Sequence, residues 1–264
     1  MSPIPPVLLV GFGKMGAAMA AGWAEEGLSP SVAVDPTLPA SRDANLAVMA
    51  GAADVPAGFA PAAIVFAVKP QQAAATLPLY ARYAGQAVML SIMAGTSIAS
   101  IRSLAGGQIV RAMPNTPAAV RQGITVACPS PDVTDTQRVL CDRLLRAIGD
   151  VAWTDDESLL DSVTAVSGGG PAYVFLLAEL LERAAIEQGI PPGLARLLAR
   201  KTVSGSGALL AASTEDAATL RRNVTSPAGT TERALAVLMA EDAWPATLSR
   251  AIAAATARSR ELAG

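Results

Sequence analysis

The feature that most constrains the fold of this chain is a glycine-rich turn that directly follows a short apolar run. Val7-Leu8-Leu9-Val10 leads into Gly11-Phe12-Gly13-Lys14-Met15-Gly16, and the alanine-rich segment 17–27 comes next. Four successive apolar residues are typical of a strand buried on both faces, and an alanine-rich segment favours a helix. The strand, the G-x-G-x-x-G turn and the helix together predict the start of a doubly wound α/β sheet.

The same turn is a candidate site for a dinucleotide. Its first glycine permits the tight turn, its second lets a pyrophosphate approach the backbone, and its third lets helix and strand pack closely. The competing interpretation is a strand-to-helix turn that binds nothing. We predict dinucleotide contacts along the whole turn, at Gly11, Phe12, Gly13, Lys14, Met15 and Gly16.

Asp35 ends the second predicted strand, residues 31–35, and is a candidate ligand for the ribose of the dinucleotide. An acidic residue about 20 positions after the turn usually accepts hydrogen bonds from the ribose hydroxyls of NAD. Its charge repels the 2′-phosphate of NADP, so Asp35 favours NADH over NADPH. Arg42, a little downstream, is able to reach a phosphate instead, so both cofactors stay open. A strand-ending turn at Asp35-Pro36 is the competing interpretation.

Further apolar runs alternate with helical segments as far as Trp153. The predicted strands cover residues 62–68, 87–93, 108–111, 124–128 and 150–153. This alternation predicts a Rossmann-like, doubly wound and mostly parallel sheet. Because ligands of such sheets bind beyond the carboxyl ends of the strands, the candidate cofactor site also includes Ala67, Val68, Lys69, Pro70 and Asn115. A solvated lysine at a strand end is the alternative for Lys69.

The strand signals stop after Trp153. Asp155-Asp156-Glu157 predicts a helix start, residues 167–171 are expected to interrupt that helix, and residues 173–188 and 194–212 predict two long helices. Both long helices are apolar around most of their circumference and therefore have to be buried. We expect a dinucleotide-binding domain at residues 1–153 and an α-helical domain at residues 154–264 that forms a homodimer.

The composition excludes several kinds of function. The net charge is −2 and no basic block occurs, which argues against a nucleic-acid partner. The chain has no histidine, so histidine triads and histidine metal ligands are excluded, and we expect no metal site. We find no targeting signal and no apolar run of about 20 residues, the length that crosses a bilayer. A cytoplasmic protein without a membrane partner is expected.

The stretch from Val224 to Thr231 is a candidate site for a small anion. Ser226-Pro227 and Ala228-Gly229 predict a turn, and Thr230-Thr231 stands just before an apolar-periodic run. Hydroxyl residues in that position are typical helix N-caps, and a helix N-terminus offers unpaired N–H groups to an anion. A capped turn without a ligand is the competing interpretation.

Five motifs together resemble the pyrroline-5-carboxylate reductases, the enzymes of the last step of proline synthesis. They are the glycine turn 11–16, Ala67-Val68-Lys69-Pro70-Gln71, Arg111-Ala112-Met113-Pro114-Asn115-Thr116-Pro117, Gly168-Gly169-Gly170-Pro171-Ala172-Tyr173 and Thr225-Ser226-Pro227-Ala228-Gly229-Thr230-Thr231. The resemblance runs over nearly the whole chain. Gly169 stands where the family usually has serine, and Ala228 where it usually has glycine. The second change matters if that position needs a positive φ.

The resemblance implies a Rossmann domain followed by an α-helical dimerisation domain, often assembled into a ring of dimers, with each active site completed by a neighbouring subunit. It implies hydride transfer from NADPH or NADH to the cyclic imine 1-pyrroline-5-carboxylate, with Asn115 and Lys69 at the cofactor. Thr231 is then the candidate catalytic residue, as the hydrogen-bond partner of the imine nitrogen. The implied substrate site consists of Val224, Ser226, Gly229, Thr230 and Thr231.

Two other functions stay open. β-Hydroxyacid dehydrogenases share this layout and use a helix lysine as acid and base. Lys201 is the one lysine of the second half, although the asparagine that usually follows it in that family is absent. The other alternative is a dimer that senses dinucleotides without catalysis. Cofactor binding without turnover of any imine would favour it.

Overall fold

The computed structural model describes residues 2–38, 41 and 43–263, so Arg42, the alternative phosphate ligand, lies outside the described residues. The chain forms two compact units. One comprises Met1–Gly168 with Ala255–Gly264, and the other comprises Gly169–Ala254. This division by packing falls later than residue 153, and the assignment of separate roles to residues 1–153 and 154–264 stays a prediction.

An eight-stranded sheet forms the centre of the first unit. Its strands are β1 (Val7–Val10), β2 (Ser31–Val34), β3 (Leu46–Met49), β4 (Ala63–Phe66), β5 (Val88–Ser91), β6 (Ile109–Met113), β7 (Gly123–Pro129) and β8 (Gly149–Trp153). Their order in space is β3-β2-β1-β4-β5-β6-β7-β8. Strands β1 to β6 are parallel, β7 is antiparallel to β6, and β8 is parallel to β7. The predicted Rossmann-like, mostly parallel sheet is confirmed.

The register of the central strands brings their carboxyl ends to one edge. Val10 of β1 lies opposite Phe66 of β4, and Phe66 lies opposite Ser91 of β5. The N–H of Ala67 then donates to the carbonyl of Val10 at 2.8 Å, which continues the pairing one residue beyond the strand. The loops that follow these strands therefore begin side by side.

Helices cover both faces of the sheet, and every residue of β1, β4 and β5 is therefore buried. One face carries α1 (Lys14–Glu25) and α4 (Asp135–Arg146), and the other carries α2 (Ala73–Thr76) and α3 (Ile98–Ala105). Trp23 of α1 is fully buried, and its indole N–H donates to the carbonyl of Leu144 at 2.9 Å. That bond satisfies the one polar group of a large buried side chain.

The second unit is helical in its described residues. It contains α6 (Gly170–Glu187), α7 (Pro192–Ala212), α8 (Ala217–Asn223), α9 (Thr230–Leu238) and the first part of α10 (Trp244–Ala263). Helices α6 and α7 pack against each other. Large apolar side chains nevertheless remain exposed on both, among them Phe175 at 68% and Leu197 at 53%. The apolar faces that the sequence predicts to be buried are thus uncovered within one chain.

One helical stretch, Leu159–Glu187, is long and apolar enough to cross a bilayer by length and composition alone. It has 29 residues, and its most apolar window has a mean hydropathy of 1.3 and is 6% buried. No apolar run of this length was expected from the sequence, and residues 167–171 were separately predicted to interrupt the helix. Instead α5 (Leu159–Val163) continues through a π-helical turn, Thr164–Gly168, into α6.

The structure differs from the sequence predictions at two further places. Strand β3 was missed. The helix predicted to start at Asp155-Asp156-Glu157 begins only at Leu159, so its first turn does not contain these three residues. Glu157 instead accepts hydrogen bonds from the Arg111 guanidinium and from the N–H of Ile98, both at 2.8 Å. The bonds to neighbouring elements hold the carboxylate outside the helix.

Candidate active site

The glycine turn after β1 has the shape of a dinucleotide cradle. Gly11 has φ +96°, and a side chain there would come within 2.8 Å of the Ala67 backbone. A Cβ on Gly16 would lie 2.3 Å from the carbonyl oxygen of Gly11. No atom of the described residues lies within 4 Å of the corresponding position at Gly13, so the backbone there is open to a ligand. Two glycines are thus required by packing, and the third leaves space.

Helix α1 begins directly in this cradle. Its N-cap is Gly13, which has no side chain to satisfy the first N–H groups. The N–H groups of Lys14, Met15 and Gly16 make no hydrogen bond within the described part of the chain. Free N–H groups at the start of a 12-residue helix are the arrangement that binds phosphate oxygens.

Asp35, at the end of β2, is bonded to the cradle itself. Its Oδ2 accepts from the N–H of Phe12 at 2.9 Å, and its Oδ1 accepts from the N–H and the hydroxyl of Thr37 at 2.9 and 2.6 Å. Burial, the largest single influence, raises the pKa of Asp35, but the bonds from Thr37 and Phe12 together outweigh it and lower the pKa below its ordinary value. The group is therefore an ionised carboxylate at neutral pH.

A cavity of about 290 Å³ lies at the carboxyl edge of the sheet, beside the cradle. Four of its lining residues were predicted from the sequence to contact the cofactor, and the other five were not. The lining residues are Met15, Ala67, Val68, Ile92, Met113, Pro114, Asn115, Thr116 and Gly168. Lys69 and Pro70 are exposed just beyond Val68 and do not line it.

Asn115 provides a polar group for this mostly apolar cavity. Only 8% of the residue is exposed, and its Oδ1 accepts from the N–H of Ile124 at 3.0 Å. Since an N–H can only donate, the acceptor must be the amide oxygen, and the NH₂ group is the free end of the side chain. That NH₂ has no hydrogen-bond partner among the described residues, so it is available to a carbonyl oxygen of a ligand.

A second, wider groove of about 720 Å³ runs along α1. It is lined by Phe12, Lys14, Ala17, Ala18, Ala20, Ala21, Ala24, Glu25, Ser41, Asp43, Ala44, Leu46 and Ala119. Lys14 is the one cation in that set of described residues. Neither the Lys14 nor the Lys69 ammonium forms an ion pair with any other described residue. Two unpaired ammonium groups beside the cradle favour an anionic ligand.

In the second unit, Ser226-Pro227-Ala228-Gly229 forms a tight turn before α9. The N–H of Gly229 donates to the carbonyl of Ser226 at 3.0 Å, and Ala228 has φ +58°. Proline second and a positive φ third are the features of a type II turn, whose third position favours glycine. Ala228 is therefore strained. Its N–H donates to Glu232 Oε2 at 2.8 Å, which holds the residue in place.

The N-cap of α9 is Gly229 and not a threonine, so the prediction that Thr230 and Thr231 cap the helix was wrong. They are its first two residues, because the turn uses Gly229 to enter the helix. A Cβ on Gly229 would lie 2.9 Å from the Ser226 carbonyl oxygen, which leaves no room for a hydroxyl residue at the cap.

This helix start is unusually rich in free hydrogen-bonding groups. Ser226, Thr230 and Thr231 are exposed, and their hydroxyls have no partner within the residues that the structure describes. The same holds for the N–H groups of Thr230, Thr231 and Glu232. Val224, the remaining predicted substrate contact, is 65% exposed. The predicted substrate residues thus lie together in the second unit, whereas the predicted cofactor residues lie in the first.

Sequence reasoning missed several residues of the cavity. Ile92 and Met113 stand at the carboxyl ends of β5 and β6, and the strand-end rule that selected Ala67 also applies to them. Gly168 had no such signal, because only the π-helical turn carries it to the cavity. Gly169, the departure from the serine of the family pattern, is the N-cap of α6 with φ −81° and no side-chain cap.

Comparisons with known proteins agree over the whole chain. Residues 157–262 match the family described as pyrroline-5-carboxylate reductase dimerisation, and residues 6–95 match that described as NADP oxidoreductase coenzyme F420-dependent. The chain is 35% identical to the pyrroline-5-carboxylate reductase of Pseudomonas aeruginosa, over 98% of this chain and 97% of that protein.

Solved structures give the same result. A pyrroline-5-carboxylate reductase from Coxiella burnetii superposes with a TM-score of 0.89 at 28% identity, covering 99% of each chain. The pyrroline carboxylate reductase of Plasmodium falciparum, solved with NADP bound, superposes with a TM-score of 0.84 at 27% identity and covers 100% of both chains.

Proposed function

The chain belongs to the pyrroline-5-carboxylate reductase family, and on this basis we propose that it reduces 1-pyrroline-5-carboxylate to L-proline with NADH or NADPH. The observation that carries the proposal is the start of α9. There, N–H groups and hydroxyls without partners among the described residues face solvent in a chain that matches the family from end to end.

The helix start suits the substrate carboxylate. The N–H groups of Thr230, Thr231 and Glu232 carry the partial positive charge of a helix N-terminus, and Ser226 adds a hydroxyl donor. A carboxylate accepts several such bonds at once, and bonds to a charged acceptor are stronger than neutral ones. Binding the carboxylate here fixes one end of the ring.

Thr231 is proposed as the catalytic residue. Its hydroxyl adjoins the carboxylate site and is free to hydrogen-bond the ring nitrogen. Reduction adds hydride to the carbon of the C=N bond and a proton to the nitrogen. Thr231 orients the ring for the first event and relays the proton from water for the second. Orientation is the larger contribution, because a hydroxyl is a weak acid and an iminium requires little acid strength.

The residues of the first unit fit a nicotinamide dinucleotide. When bound, that cofactor supplies the hydride. Gly13 and the free N–H groups of Lys14, Met15 and Gly16 would bind its pyrophosphate, since a Cβ at Gly13 would meet only open space. Asn115 would hold the carboxamide of the nicotinamide in the cavity of about 290 Å³, and Lys69 would face the phosphates.

We further propose that NADH is preferred over NADPH. Asp35 is ionised and lies against the cradle, where it repels a 2′-phosphate. Asp43 lines the adjoining groove and adds a further negative charge, whereas the Glu25 carboxylate there is paired with the Arg121 guanidinium. The electrostatic balance of these residues favours the unphosphorylated ribose.

The functional assembly is a homodimer formed through α6 and α7, with a ring of dimers as the proposed higher assembly. The exposed apolar side chains of these helices, Phe175 and Leu197 among them, require a partner surface. The dimer also accounts for the apolar stretch Leu159–Glu187 without a membrane. We propose a cytoplasmic location, and recovery of the protein in the membrane fraction would contradict it.

The test is oxidation of NADH and of NADPH by the purified chain, each with 1-pyrroline-5-carboxylate and with proline measured as product. Turnover with a higher kcat/KM for NADH is expected. Dinucleotide binding without turnover would favour the sensing dimer. Turnover of a hydroxy acid that is lost in Lys201→Met would favour the β-hydroxyacid dehydrogenase.

A further inference from the structure

Gly168 and Met113 meet at the wall of the cavity. A Cβ built on Gly168 would lie 2.7 Å from Cε of Met113, closer than any real contact, whereas its next neighbour, Cγ2 of Thr164, would be at an ordinary 3.6 Å. Both Gly168 and Met113 line the cavity of about 290 Å³. The Met113 methyl thus occupies the space that a side chain at position 168 would need.

The π-helical turn is what carries Gly168 to this place. Within it the hydroxyls of Thr164 and Ser167 donate to the carbonyls of Leu160 and Val163 at 2.7 and 3.1 Å. These bonds pair carbonyls near the widened turn, and such turns are frequent at functional sites. The backbone at Gly168 is therefore a fixed surface, and the long side chain of Met113 is the movable partner.

We propose that Gly168 is a positioning residue for the dinucleotide. By accommodating the Met113 methyl, it sets the width of the cavity that receives the nicotinamide ring. The inference rests on the proposed function for the identity of that ring. Any side chain at position 168 pushes the methyl out of its place, narrows the cavity and weakens dinucleotide binding, while the flexible methionine absorbs the strain and the fold is kept.

Four proteins test this: the wild type, Gly168→Ala, Met113→Ala and the double variant. The Kd for NADH is measured by the fluorescence of NADH. The kcat and the KM for NADH are measured with 1-pyrroline-5-carboxylate as substrate. Gly168→Ala should raise Kd and KM for NADH about tenfold with kcat at saturation nearly unchanged, since one extra methyl in a packed wall typically has an effect of this size. Met113→Ala should raise Kd by a smaller factor, and adding Gly168→Ala to it should have no further effect.

Gly58→Ala is the matched control, because a Cβ there meets no atom of the described residues within 4 Å. It should leave Kd unchanged. Equal Kd values for the wild type and Gly168→Ala would overturn the proposal, as would a double variant with the product of the two single effects. If Gly168→Ala does not fold, Met113→Leu is the test instead. Leucine is too short to place a methyl where Met113 Cε lies, so the Kd for NADH should rise, and an unchanged Kd would refute the role of the methyl. A wild type that binds NADH but reduces no imine would refute the proposed function alone.

Discussion

The backbone N–H of Phe12 donates a 2.9 Å hydrogen bond to Oδ2 of Asp35, so the end of β2 holds the glycine cradle that follows β1. The other carboxylate oxygen is bound by Thr37. Asp35 thus has a structural role in the loop as well as its proposed role at the ribose. These two roles predict different results for different substitutions.

Asp35→Asn removes the charge but keeps an oxygen for the Phe12 N–H. It should narrow the preference for NADH over NADPH, whereas Asp35→Ala should weaken binding of both, because the loop loses its anchor. Fluorescence titration with each dinucleotide measures the effect. Asp54→Asn is the control, since Asp54 also accepts a backbone N–H, that of Gly51 at 2.9 Å, in an exposed 3₁₀ turn. An unchanged ratio in Asp35→Asn would contradict the electrostatic argument.

Asp35 also makes stability depend on pH. The pKa of its carboxyl is lower in the folded protein than the ordinary value, so the folded state favours the ionised form. The stabilisation is complete above the ordinary pKa of about 3.9 and is lost as the pH falls through the folded value. The stability of Asp35→Asn should therefore fall less than that of the wild type over this acidic range, in urea unfolding at several pH values.

Ala228→Gly should stabilise the protein. An alanine at φ +58° pays a steric cost that glycine does not, and relief of such strain is worth about 1 kcal/mol even after the greater freedom of glycine in the unfolded chain. Urea unfolding measures the difference. Ala234→Gly, in the middle of α9, is the opposite control and should destabilise by about 1 kcal/mol. Destabilisation by both changes would mean that position 228 does not need a positive φ.

The ion pair between Arg111 and Glu157 should contribute to stability through geometry as well as charge. The Arg111 side chain is 6% exposed and that of Glu157 30%, and the same Oε1 also binds the first N–H of α3. Glu157→Ala should cost about 1–3 kcal/mol, since solvent screens the partly exposed partner. Glu157→Gln should cost less because its oxygen still accepts from Ile98. Glu261→Gln, in an exposed pair with Arg258, should be nearly neutral, and equal losses for Ala and Gln at position 157 would contradict the shared-acceptor argument.

Both cysteines should be unreactive in the folded protein. Burial, with the nearby charges of Glu157 and Asp155, raises the pKa of Cys128 to about 11, and burial also raises the pKa of Cys141. Because the thiolate is the reactive form, alkylation by iodoacetamide at pH 8 should be slow and should accelerate as the pH approaches 11. Two equivalents should react in denaturant. Rapid labelling of the folded protein at pH 8 would show that the thiols are not buried as described.

The sheet was predictable because its central strands are buried on both faces, so that β1 and β4 are continuous apolar runs in the sequence and β5 has one polar residue, Ser91. Strand β3 was missed for the opposite reason. It lies at the edge of the sheet and buries only Leu46. The cradle was equally predictable, since glycine is the residue that fits the close backbone contacts at Gly11 and Gly16.

The remaining site features depend on conformation that residue types do not encode. Residues 167–171 look like a helix break, but the helix passes through them by widening into a π-helical turn, and this places Gly168 at the cavity. Thr230 and Thr231 look like caps in the sequence, but the preceding turn makes Gly229 the cap and the threonines the first two residues of α9. The positive φ of Ala228 is likewise set by that turn and not by alanine itself.

The role of the Thr231 hydroxyl is tested by the kcat for 1-pyrroline-5-carboxylate reduction in Thr231→Val and Thr231→Ser, with the Kd for NADH measured in parallel. Valine keeps the shape of threonine without its hydroxyl, and serine keeps the hydroxyl. We predict that Thr231→Val lowers kcat about a hundredfold, that Thr231→Ser stays within about tenfold of the wild type, and that NADH binding is unchanged in both. A Thr231→Val enzyme with wild-type kcat would contradict this prediction.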